Sequence, residues 1–411
     1  MGWFYIVGRI KLRNMKRLLT CLIFALLAST LYADDLSLLK KYSQEADSAF
    51  KYGKTELCFK INEDIISLFN SNRKKNVKNT EICTIVFGAY SSLAILDKRK
   101  SENEVCSLLS DGLKLVEDNP AWLKDYSQKN HIIQCYINLI GGYVKLGNLS
   151  SASDYNQRMI SFAENYYRFE IADVLFSACS MNSLMNDFEK SYPLYKRLYE
   201  MFDNLDRLQQ YRVVRELIHF EFTKKNYSEL VRLSLKHEKL ISKSKDEIKE
   251  TILYLIGSGF NLNANNIAKE NEGVFSVDTD NAFKSGCDWA LRNYPLVYPM
   301  NCIDYAYWLY GFDDHKIKAL VQFENYLNCL ENSQFDVLFD ERYRNIIDAE
   351  NAIISIIIQK IVKSDKPTDL NYILNKYPKV IASISNAAQS ELFEDFNNVI
   401  SYAKEICYGN K

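Results

Sequence analysis

Apolar residues along this chain recur at steps of three and four with polar residues between them, in segments that come in twos. From Leu36 to Phe50 and from Thr55 to Phe69 this spacing predicts two amphipathic helices joined by Tyr52-Gly53-Lys54. The same shape returns from Ala89 to Leu115 around the polar run 98–103, and from Ile132 to Ala163 around Gly147-Asn148. It returns again from Ile171 to Phe202 around Asn186-Asp187, from Val213 to Ile241 around Lys225-Asn226, and from Asp304 to Leu330 around Gly311 to Asp314. Turns this short place successive helices antiparallel. The first four turn-to-turn steps are roughly 39–47 residues, and a helix pair repeated at such a period predicts an α-solenoid. The expected fold class is all-α, a stack of antiparallel helix pairs with a long helix and short helices capping the C-terminus.

The boundaries follow from where the pattern holds and where it breaks. Repeats are expected over 34–260 and a further helix pair over 282–332. Between them, 261–281 is polar, rich in Asn and carries Gly273, which predicts an exposed loop. Its acidic residues Glu270, Glu272, Asp278 and Asp280 lack the ordered ladder and closing Glu of an EF-hand. The densest aromatic stretch comes next: Tyr294, Tyr298, Tyr305, Tyr307, Trp308, Tyr310 and Phe312. Two readings stand for it: packing between neighbouring helices, or a recognition patch offering large contact area with a polar tip. Over 333–411 the pattern predicts a cap: one long helix from Phe335 to Val362, a break at Pro367 and two short helices. Glu391, Glu394, Asp395 and Glu405 suit the polar outer face that a terminal cap requires.

Several units resemble the tetratricopeptide repeat (TPR). In the segment from Leu139 to Ala152, Leu139 and Tyr143 fall on that family's apolar first-helix positions, Gly147-Asn148 on its turn and Ala152 on the small residue of its second helix. A small side chain at Ala152 lets two helices cross closely while Tyr143 fills the space beside it. Tyr310, Ala319 and Phe323 resemble the family's Tyr, Ala and Phe positions, and Ser191 and Tyr195 its small and aromatic ones. The closing proline is absent from most units, and the spacing exceeds the family's period of about 34. The resemblance implies a helical scaffold that holds a protein or peptide segment.

Composition narrows the alternatives. With 14 Gly and 6 Pro in 411 residues, the chain is short of what sandwiches, barrels and Gly-rich phosphate loops need at their turns. Residues 1–33 carry five basic side chains and no acidic one, followed by the apolar run Leu18 to Ala28 and an Ala at position 33. That order predicts a secretory signal peptide cleaved after Ala33, with the true start at Met15. An uncleaved anchor helix is the alternative. Removing the segment takes five from 51 basic side chains and none from 52 acidic ones, so the mature chain is acidic and offers no basic stripe for nucleic acid. No later apolar run reaches the roughly 18 residues of a membrane span, so membrane attachment is expected only through an uncleaved N-terminus.

Nine cysteines remain after cleavage, most of them in apolar helical stretches where a thiol packs as a small hydrophobe. One or two disulfides are open in an oxidising compartment, and Cys287 and Cys302, flanking a proline-containing link, are the first pair to test. The four histidines show no metal-ligand spacing beyond the single pair Glu216 and His219. No catalytic, cofactor-binding or metal residue is assigned, and no cofactor is expected. The function expected is an exported protein- or peptide-binding scaffold without catalysis. The alternatives are an accessory sensory or regulatory partner of an envelope membrane protein, or an enzyme with an unrecognised Cys/His site.

Overall fold

The computed structural model describes residues 35–119 and 129–332, and among these there are helices and short connections but no strand. The predicted signal segment and the C-terminal cap lie outside the described residues, as does Cys407. The chain divides into two compact units, Met1–Met201 and Phe202–Lys411.

In the first unit α1 covers 35–51. It is followed by α2 (Thr55–Ser71), the single turn α3 (Arg73–Asn76), α4 (Thr80–Leu96) and α5 (Glu102–Asp118). Then come α6 (Lys129–Lys145), α7 (Leu149–Tyr166), α8 (Ile171–Leu184) and α9 (Ser191–Glu200). Helices pack in consecutive pairs, α4 on α5, α6 on α7 and α8 on α9, and each pair leans on the next through α2–α4, α5–α6 and α7–α8. Ala46 and Ala49 of α1 bury against Cys58 of α2 in the same way.

The starts of these helices are written in side chains that satisfy the first free amides. Asn79 accepts from the backbone N–H of Glu81 and Ile82 at 2.9 and 3.1 Å. Ser101 and Glu104 cap each other reciprocally at α5, and Asn148 accepts from Ser151 at α7.

The ends repeat one turn. Gly53 and Gly147 take φ of +72°, and Asn186 and Lys225 take 55° and 58° at the equivalent place. The residue after each donates its N–H back across the helix end: Lys54 to Ala49 O, Asn148 to Tyr143 O, Asp187 to Asn182 O and Asn226 to Glu221 O, at 2.8–2.9 Å. This closure satisfies carbonyls that the last helical turn leaves open. Gly147, Asn186 and Lys225 stand at equal intervals in the chain, so the repeat is visible in backbone geometry even where its residue changes.

The second unit contains α10 (Arg207–Thr223), α11 (Tyr227–Lys236), α12 (Glu238–Ser242), α13 (Lys249–Glu270), α14 (Val277–Asn293), α15 (Tyr298–Tyr310) and α16 (Lys316–Asn332). Here α13 packs on α10, α11, α14 and α15, and α15 on α16. The expected loop over 261–281 is corrected: its first ten residues continue α13, and Val277 opens α14 behind a Ser276 cap, leaving a short turn around Gly273. Ile252, Ile256, Phe260 and Ala264 form a buried stripe at four-residue steps. Asn261 and Asn265 both donate to Asp304 Oδ2, at 2.6 and 3.1 Å. Tertiary partners for the asparagine amides thus override the weak helix propensity of the run.

Candidate functional site: an open face of the first unit

The first helices of three successive pairs, α4, α6 and α8, lie side by side. Phe87 of α4 meets the His131 ring of α6 edge-on at 5.4 Å, and α6 packs directly on α8. Their second helices lie behind them, so among the described residues one stripe of each first helix stays uncovered. On α4 it runs through Thr84, Gly88 and Ile95; on α6 through Gln134, Asn138, Gly141 and Lys145; on α8 through Asp173, Ser177, Ser180 and Leu184. Steps of three, four and seven keep these residues on one side of each helix.

The face has low relief. Thr84, Ser177 and Ser180 turn their hydroxyls back to carbonyls four residues earlier, at 2.9–3.0 Å. Gln134 Nε2 donates to Asn138 Oδ1 at 3.0 Å. A Cβ added to Gly88 or Gly141 would meet nothing within 4 Å, so at two places helix backbone itself is accessible. Gly142, one residue on, is its opposite: a Cβ there would stand 2.6 Å from Cys106 Sγ, and the glycine lets α5 and α6 close on each other. What the face offers is short hydroxyl and amide side chains and two bare stretches of helix, edged by the apolar Ile95 and Leu184 and the charged Asp173 and Lys145.

The titratable groups behind it are quiet. Burial lowers the His131 pKa, favouring the neutral ring. Burial also pushes the Cys83 thiol up to about 11 and Cys135 up to about 12, and raises Cys106. All three stay protonated near neutral pH. At the back of the face, Glu117 accepts the Tyr136 hydroxyl at 2.7 Å and Arg158 Nε at 2.9 Å, while the Arg158 guanidinium lies 4.1 Å over the Tyr155 ring. This network ties α5, α6 and α7 together.

The repeat positions singled out in the sequence fall at helix crossings. Leu139 and Ala152 are fully buried between α6 and α7, and Tyr143 stacks on Tyr155 at 5.6 Å. Ser191 and Tyr195 are buried on α9, while Ala319 and Phe323 are buried on α16 with Tyr310 packed against the same cluster. Gly147 occupies the left-handed turn. Of the two readings of the aromatic run, packing between helices is the one found, and the exposed recognition patch is corrected. Tyr294 and Tyr305 are buried, and Tyr298, Tyr307 and Trp308 pack half-buried against the core of α14–α16. The Phe283 ring stacks on Tyr305 at 5.4 Å, and Phe275 stacks on Trp308 at 5.3 Å. Tyrosines and tryptophans at helical spacing were drawn inward by their area, with the Tyr305 hydroxyl satisfied by Asp280 Oδ1 at 2.5 Å.

The open face was missed in the sequence because its small and polar residues are interspersed with single apolar and charged ones and form no motif; the one signal was a Gly-Gly pair, Gly141-Gly142, inside a helix. By fold, then, the chain is an all-α, helical repeat-like protein. No known protein family and no curated protein matches it. One solved structure, described as a circular tandem repeat protein with novel repeat topology and enhanced subunit contact surfaces, aligns over 91% of this chain and 97% of its own. The identity is 13% and the TM-score 0.23.

Proposed function

We propose that the protein is an exported scaffold, built on TPR-like repeats, that holds a protein or peptide segment on the α4–α6–α8 face and performs no catalysis of its own. The observation that supports this is the low, hydrogen-bonding surface with two bare glycines, Gly88 and Gly141, on neighbouring first helices. Export rests on the basic, then apolar, leader ending at Ala33.

A photo-crosslinking residue at Asn138, in cells, tests the binding reading. A discrete adduct is expected from position 138, absent from the exposed position Lys114 on α5, and lost when Gly141→Arg fills the face. Equal labelling from both positions, or an adduct indifferent to Gly141→Arg, would overturn it. Fractionation with N-terminal sequencing tests export: a chain beginning at Asp34 outside the cytoplasm is expected, and an intact N-terminus in the cytosol refutes it.

A further inference from the structure

Among the described residues of the first unit ten large apolar side chains are exposed, and nine stand within three residues of a turn from first to second helix. Tyr52 marks the α1–α2 turn, Leu96 the α4–α5 turn, Leu149 the α6–α7 turn and Phe188 the α8–α9 turn; Leu38 is the exception. Tyr52 is 72% exposed, Phe188 55% and Leu149 47%. The four turns share one edge. Lys100 Nζ reaches Glu63 Oε1 of α2 at 3.0 Å, Lys145 Nζ reaches Glu102 Oε1 of α5 at 3.3 Å, and Lys190 Nζ donates to Ser153 Oγ of α7 at 3.1 Å. Single exposed apolar side chains are ordinary, but a row of them along one edge marks a surface that meets something.

Every turn in the row also carries lysine. Over 50–57, 95–102, 145–149 and 184–190 basic side chains number seven and acidic ones five, against an acidic balance for the chain beyond the leader. Three of those carboxylates are paired locally, Asp97 with Arg99, Glu102 with Lys145 and Asp187 with Lys190, leaving Lys51, Lys54 and Lys98 to outnumber Glu56 and Glu189. Leucine, tyrosine and phenylalanine beside lysines, whose stems lie along apolar surface while the ammonium stays in water, are the makeup of a membrane interface. Each turn is a separate projection that a fluid headgroup layer admits, whereas a protein partner would have to offer a matched pocket for each. No described helix is long and apolar enough to cross a bilayer, so contact through this edge is peripheral. We propose that the turn edge of the first unit seats the protein on an anionic phospholipid bilayer. Tyr52, Leu149 and Phe188 enter the interface, and the lysines meet headgroup phosphate. This seat is distinct from the segment-binding face of α4, α6 and α8, which it adjoins at Ile95 and Leu184.

The test is flotation of the protein, as purified from cells, with vesicles of phosphatidylcholine alone or with added phosphatidylglycerol. Flotation is expected with the mixed vesicles, little with phosphatidylcholine, and less as salt rises. Leu149→Ser combined with Phe188→Ser should lower the partition at least about tenfold. Lys51→Glu with Lys54→Glu should lower it on the mixed vesicles. Lys74→Glu, beyond the far end of α2, and Gly141→Arg, on the open face, should leave it unchanged. The replaced turn residues are exposed, so the melting temperature should hold, and Tyr52→Ser repeats the apolar test if the double variant melts lower. Flotation that the turn variants leave unchanged would trace attachment to the leader and overturn the proposal. So would no flotation at all, equal weakening by Lys74→Glu, or a mass by light scattering that the Leu149, Phe188 double variant halves, the mark of a second copy covering this edge.

Discussion

Asn156 of α7 gives its side-chain amide to α8: Nδ2 donates to Asn182 Oδ1 at 2.8 Å and to the Ala178 carbonyl at 3.1 Å, and both asparagines are buried. Apolar packing alone would let two helices slide along each other; a buried amide pair fixes their register, since any other offset strands polar groups. Asn156→Ala should therefore cost about 2 kcal/mol in urea unfolding, most of it the desolvation of an unpaired Asn182. The double variant Asn156→Leu, Asn182→Leu should lose less than the two single losses combined. Additive losses would show the pair is not coupled.

Adjacent glycines of α6 make a sharper contrast. Gly141→Ala enters open space and should stabilise the protein by about 0.5–1 kcal/mol through helix propensity. Gly142→Ala drives a methyl to 2.6 Å from Cys106 Sγ and should destabilise it. Chemical denaturation of the two variants reads the sign directly, and equal signs would show that Cys106 does not constrain position 142.

In the second unit, a Cβ on Gly257 of α13 would run into Val297 Cγ2. Gly257→Ala should cost roughly 1–3 kcal/mol. Val297→Ala added to it should restore part of the loss, a compensation that a long-range or propensity effect would not give.

His237 is buried against the Phe202 ring, 4.6 Å between centroids, and burial, with Lys236 and Arg232 adding to it, lowers its pKa to about 4. The folded chain thus holds the ring neutral while the unfolded chain protonates near 6.5. Its contribution is fully present above pH 6.5 and is lost as pH falls from about 6.5 to about 4, by on the order of 2 kcal/mol. Urea stability measured across that window should fall less steeply for His237→Gln than for the native chain. Parallel slopes would place the pH dependence elsewhere.

What could be read from the sequence follows from which residues speak through local physics. The turns at Gly53, Gly147, Asn186 and Lys225 were legible because left-handed backbone calls for Gly or Asn, or for a polar residue that tolerates the strain, and because flanking apolar spacing resets at each. The run beginning at Asn261 misled, since asparagine favours loops when isolated; only Asp304, forty-three residues on, turns it into a helix position. The apolar steps Ile252, Ile256, Phe260 and Ala264 carried the right answer and extend into that run. The aromatic stretch announced its importance but not its direction, because area buries as readily as it binds. The open face was silent for a plainer reason: Thr84, Gly88, Gln134 and Ser177 lack the size or charge by which a site declares itself.

Packing within the first unit runs from each element to its near neighbours in sequence, with α6 held chiefly by α5, α7 and α8. A protein joined in that fashion has no keystone. Its end pairs can peel away while the middle endures, so unfolding there should travel inward through partly melted species in place of a single cooperative collapse. Amide exchange followed residue by residue would register this as a gradient of protection, highest around Leu139 and Ala152 and falling toward α1.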